Sequence, residues 1–191
     1  VPLRLVLART ERAAVAITGC VAYPLGAVFD VSLRIRPGSL SIDERRALMH
    51  GGPFHLHGPR DGGELPPELL RFGVLFPDGR KGTSLDDRRA FFKVDSPPDG
   101  PILTPRGGGG SEHGWNMGFW LWPLPPPGLL TFVVAWPALG IPETRVETDG
   151  APIVAAAASA EPLWPEEGST GSGGWVQTVS SMRAGGKTDG E

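Results

Sequence analysis

Three of the four histidines fall in one short stretch, Met49-His50-Gly51-Gly52-Pro53-Phe54-His55-Leu56-His57. Side chains alternate along an extended chain, so His55 and His57 would place both imidazoles on one face. Glu64 follows, and His113 lies much further along. Neutral imidazole and carboxylate are ligands for one zinc, iron or manganese ion. An open position on such an ion would activate water or dioxygen. The plainer reading, placed first, is of loop histidines making ordinary hydrogen bonds beside glycine and proline.

The chain has six tryptophans. Trp115, Trp120, Trp122 and Trp136 gather around one stretch expected to form a hairpin. Aromatic platforms on β-sandwiches bind sugars or partner proteins; the competing expectation is that these rings fill the core. Arg106-Gly107-Gly108-Gly109-Gly110-Ser111 offers backbone N–H groups of the kind that cradle phosphate. It lacks the lysine–hydroxyl pair and the helix that a phosphate-binding loop requires, so it reads as a flexible loop. Cys20, within Ile17-Thr18-Gly19-Cys20-Val21-Ala22, reads as a small hydrophobe in a buried strand. No Ser-His-Asp order, paired catalytic carboxylates or nucleophile elbow stands out, so no residue is assigned a catalytic role. The leading expectation is therefore a non-catalytic binding module without cofactor. Its partner is a protein or a glycan, held by Trp115, Trp120, Trp122 and Trp136. The alternative is a small metal-dependent enzyme using His55, His57, Glu64 and His113.

Composition narrows the classes. Glycine (28) and proline (21) make up about a quarter of the 191 residues, roughly twice average usage. The hydrophobic fraction of 40% nevertheless supplies a core, which argues for a turn-rich β protein over a disordered one. A net charge of −3 excludes a general nucleic-acid footprint. The single cysteine rules out an intramolecular disulfide and fits a reducing, cytoplasmic setting. The charged, alternating start, Leu3-Arg4-Leu5-Val6-Leu7-Ala8-Arg9, lacks the apolar core of a signal peptide. Val1 in place of methionine leaves open a fragment edge or a non-standard start codon. Gly114 to Pro142 carries no charge, but Pro123, Pro125, Pro126, Pro127 and Pro137 break any continuous spanning helix.

The elements that would hold these residues follow from period-two patterns. Leu3, Leu5 and Leu7 share a face, as do Val15, Ile17, Gly19 and Val21. Phe29, Val31, Leu33 and Ile35 alternate with Asp30, Ser32, Arg34 and Arg36. Short breaks between these runs predict antiparallel neighbours. Ser41 and Glu44 form a capping box for a short helix that Gly51-Gly52-Pro53 ends. Leu70, Phe72, Val74 and Phe76 form another strand. The Asp78-Gly79 turn leads to a polar edge strand over Arg80–Ser84. Asp86 to Arg89 is a solvated charge cluster, and Asp95 to Gly110 reads as a long surface loop. Phe119 and Leu121 oppose Trp120 and Trp122. A proline-rich turn then leads to Leu130, Phe132, Val134 and Trp136. Both strands are expected to be central and buried on two faces. Thr144 to Thr148 is one more short strand, and Asp149 caps a helix reaching about Ala160, with Trp164 docking its end. Residues 166–191, including Glu166-Glu167, form a disordered tail behind one domain over residues 1–165. Seven to nine short strands predict an all-β fold, mainly an antiparallel β-sandwich or related barrel with one or two short helices.

Two resemblances add expectations. The glycine run Gly107–Gly110, the segment Trp120-Leu121-Trp122-Pro123-Leu124-Pro125-Pro126-Pro127-Gly128, Trp136-Pro137 and Gly140-Ile141-Pro142-Glu143-Thr144 together resemble a family of small β-rich actinobacterial proteins. That resemblance covers residues 1–165. It implies a fold type and a GC-rich host, and no reaction. His55-x-His57 with a later glutamate and histidine is similar to the cupin pattern on a β-barrel. Glu64 comes later than the cupin spacing, and Pro105, Gly107 and His113 are more widely spread than its second motif.

Overall fold

The computed structural model describes residues 1–49, 64–85 and 100–161. Their strands form two antiparallel sheets. In the first, β1 (Leu5–Arg9), β2 (Ala13–Tyr23), β3 (Gly26–Ile35), β7 (Gly114–Trp122) and β6 (Ile102–Ser111) lie in that spatial order. In the second, the order is β5 (Lys81–Thr83), β4 (Arg71–Leu75), β8 (Leu129–Trp136) and β9 (Ile141–Asp149). β1 also lies beside β9, and β5 beside β6, so the sheet edges meet on both sides of the sandwich. The all-β antiparallel expectation holds. The helix stop after Met49, the Asp86–Arg89 cluster, Trp164, the domain boundary and the 166–191 tail lie outside the described residues.

The core is aromatic. Phe29 of β3 meets Phe132 of β8 edge-on at 5.1 Å, and Phe72 of β4 lies 4.9 Å from Phe119 of β7. These pairs tie one sheet to the other by burial and by ring quadrupoles. Leu70, Phe72, Val74 and Phe76 are all buried, as their alternation predicts. β5 is the polar edge strand expected after Asp78-Gly79.

Helix α1 (Ile42–Met49) carries the capping box read from sequence, whereas α2 (Ala151–Ala158) has Gly150 at its N-cap, with Asp149 one residue before it. The Ser41 N–H donates to Glu44 Oε2 at 2.8 Å, and the Glu44 N–H donates to Ser41 Oγ at 3.2 Å. Asp149 Oδ1 accepts the Ala151 N–H at 2.9 Å. α2 buries Ile153 and Ala157 and packs against β2 and β3.

Three local expectations are corrected. Val15, Ile17, Gly19 and Val21 do not share one face. Ile17 pairs with Val31 but Gly19 with Asp30, so Thr18 is an extra, bulged residue. A bulge reverses the alternation beyond it. Cys20 therefore turns inward, at 3% exposure, and Val21 outward, at 48%.

The glycine run is not a loop. Ile102–Ser111 is edge strand β6, paired with β7 across a register shift between Pro105 and Gly108. Its glycines are needed where β7 side chains cross over it. A Cβ on Gly110 would fall 2.2 Å from Trp115 Cδ1.

β7 and β8 are not a hairpin. They belong to different sheets, and residues 123–128 cross between them. Facing sheets sit about 10 Å apart, too far for a tight turn. The link is anchored instead by the Leu124 N–H, which donates to the Leu25 carbonyl at 3.0 Å. Both strands are internal to their sheets, as expected, but neither is buried on two faces: the outer faces of β7 and β8 are each only partly buried.

Candidate binding surface

The four tryptophans separate into three environments. Trp136 is fully enclosed in the core, where its indole N–H donates to the Glu68 carbonyl at 2.9 Å. It is structural, and its place in the expected binding set is withdrawn. Trp115 shares a pleat face with Phe119 and Leu121 and packs, partly buried, against the core margin. Trp120 and Trp122 alternate with those residues and point to the outer face of the first sheet, each half-buried.

Around them lies an apolar surface built by four strands. Val21, Val28, Trp120 and Thr104 form one cross-strand row, and Trp122 pairs with Ile102. Tyr23 meets Trp120 edge-on, with ring centroids 5.7 Å apart. This contact requires Gly26. A Cβ there would lie 2.3 Å from the Leu121 carbonyl oxygen and 2.8 Å from the Trp120 ring. The Arg106 guanidinium sits 5.9 Å from the Trp120 ring centroid, within cation–π range. Val21, Tyr23 and Leu25 remain 45–48% exposed. Val21, Tyr23, Leu25, Val28, Ile102 and Arg106 are not legible as a group in sequence. The Thr18 bulge hides Val21, and the order β2-β3-β7-β6 decides which residues become neighbours.

The other candidates lie elsewhere. The glycine run is laddered to β7, so it is not a free phosphate cradle. Cys20 is buried, and that burial pushes its thiol up to about 11, which removes a thiolate nucleophile at neutral pH. His113 is exposed in the β6–β7 turn, and its carbonyl accepts the Ile35 N–H at 2.9 Å. The cleft beside it, ≈ 630 Å³, brings together Arg9, Arg34 and Arg36 with Glu11, a charge balance unfavourable to a metal cation. Glu64 is exposed ahead of β4. His50, His55 and His57 lie outside the described residues. Among the described residues no group of three or more His, Cys, Asp or Glu side chains could hold a metal ion.

Fold and surface together define an antiparallel β-sandwich with an aromatic patch on the outer face of its larger sheet. No protein-family model, curated protein or solved structure matches the chain. No helix among the described residues is long and apolar enough to cross a membrane; the uncharged segment Gly114–Pro142 forms β7, β8 and the start of β9.

Proposed function

We propose that the chain is a non-catalytic interaction module that binds a protein partner through the outer face around Tyr23, Trp120 and Trp122. The observation that carries this reading is the contiguity of the patch. Aromatic rings, exposed aliphatic side chains and one arginine occupy neighbouring positions on four strands. Interface centres are enriched in such residues and depleted in other charges. The aliphatic surround favours protein over glycan, because Val21, Val28, Leu25 and Ile102 offer no hydrogen bonds to sugar hydroxyls. The partner would present apolar side chains to the rings and a carboxylate to Arg106. In this reading the single cysteine suits a cytoplasmic protein, and the resemblance to actinobacterial proteins indicates the host group.

A photo-crosslinking residue in place of Val21 tests the proposal in host cells, with the same residue in place of Glu147 on β9 as control. A discrete protein adduct is expected from position 21 alone. It should be lost in both Trp120→Ala and Tyr23→Ala variants whose melting curves show an intact fold. Equal adducts from both positions, or adducts that survive both variants, would overturn the reading. Binding to a glycan array that depends on Trp120, with no protein adduct, would transfer the site to a carbohydrate.

A further inference from the structure

The outer face of the second sheet breaks the usual pattern of such surfaces. The wet side of an antiparallel sheet ordinarily carries polar side chains. Here Gly73, Leu75, Val133 and Ala135 line it, forming the floor of a groove of ≈ 830 Å³. That volume lies within the range of small-molecule sites, about 300–1,000 Å³. The depression has a direct cause. Gly73 sits mid-face, paired with Thr83 on one side and Val133 on the other, and contributes no side chain where the sheet would otherwise be filled.

The rim is basic. Among the described residues, Arg71, Lys81 and Arg145 line the groove with a single carboxylate, Glu143. Glu143 already engages Arg145 at 2.9 Å. Arg71 is under-coordinated by the described residues. Its buried Nε has no hydrogen-bond partner, and its Nη2 makes only a long 3.4 Å contact with the Leu65 carbonyl. Unsatisfied guanidinium donors are costly to the protein, and a planar carboxylate matches their geometry.

We infer that this groove binds a small amphipathic carboxylate, its apolar body on the Gly73–Val133–Ala135 floor and its anionic head at Arg71. The site is separate from the aromatic face and does not depend on it. The apolar floor accounts for the body and the basic rim for the sign of the head.

Isothermal titration of the full chain tests this with four probes, each below its micelle concentration: decanoate, acetate, decyl phosphate and decyltrimethylammonium. Decanoate is expected to bind saturably at one site. Acetate and the cationic analogue should bind at least about tenfold more weakly, and Arg71→Gln should weaken decanoate by a similar factor. Gly73→Leu should abolish binding by filling the floor. A Cβ at Gly73 meets only the Gly82 carbonyl oxygen at 3.4 Å and Thr83 Cβ at 3.9 Å, so the added side chain extends into the groove. If Gly73→Leu does not fold, Ala135→Leu fills the same floor from the neighbouring strand. Absence of saturable decanoate binding, equal binding of the cationic analogue, or indifference to the floor-filling variant would overturn the proposal. Tighter binding of decyl phosphate than of decanoate would overturn the carboxylate assignment.

Discussion

Glu44 shows how a surface residue links sequence to stability. The Ser41 backbone N–H donates to its carboxylate, and the Arg12 guanidinium joins it from the β1–β2 turn. These bonds, the backbone one first, hold the carboxyl at about 2, below its ordinary 4.5. The folded chain therefore binds this proton less readily than the unfolded chain. Its contribution is full above the unfolded value and is lost as pH falls from about 4.5 towards 2. Melting temperature should fall across that window. In Glu44→Gln it should start lower at neutral pH and fall less steeply on acidification. Identical slopes for the two proteins would show that the capping box does not couple to folding.

At the scale of elements, the glycine run of β6 separates two reasons for lacking a side chain. A Cβ on Gly110 collides with the Trp115 ring, whereas one on Gly109 meets nothing within 4 Å. Gly110→Val should displace Trp115, shift tryptophan emission to longer wavelength and destabilise by about 1–3 kcal/mol, as overpacking does. Gly109→Val should leave emission unchanged and raise stability by about 0.5–1 kcal/mol, because glycine is a poor strand residue. Equal effects in chemical denaturation would contradict the placement of Trp115 over β6. The charges along β9 have a different use. Glu143, Arg145, Glu147 and Asp149 are exposed and add to the protection against strand addition that β1 already gives that edge.

For the whole molecule, one aromatic cluster joins the sheets. Phe132 touches Phe29 across the sandwich and stacks near Phe72, with centroids 6.1 Å apart, within its own sheet. Phe132→Ala should therefore cost about 3–5 kcal/mol. Both sheets should still unfold together, with circular dichroism and tryptophan fluorescence giving coincident denaturation curves. Separated transitions would mean that the sheets are independently stable. Burial of Trp136 belongs to the same account. Its indole N–H bond to Glu68 ties the segment preceding β4 to the end of β8.

Much of this fold was legible in local pattern. The alternation of Phe29, Val31, Leu33 and Ile35, the Ser41/Glu44 box and the Asp78-Gly79 turn act through near neighbours in the chain, so composition and spacing suffice to read them. The candidate surface was legible only as a cluster of tryptophans. Which rings face outward depended on pleat parity, and parity changes at a bulge such as Thr18 that no residue type announces. Whether β7 and β8 pair depended on the gap between sheets, which residues 123–128 span without any sequence mark distinguishing them from a hairpin loop. The groove over Gly73 likewise exists only because β4 lies between β5 and β8. Local preference specified the strands, whereas long-range pairing, settled by burying Phe29, Phe72, Phe119, Phe132 and Trp136 together, decided which side chains became neighbours.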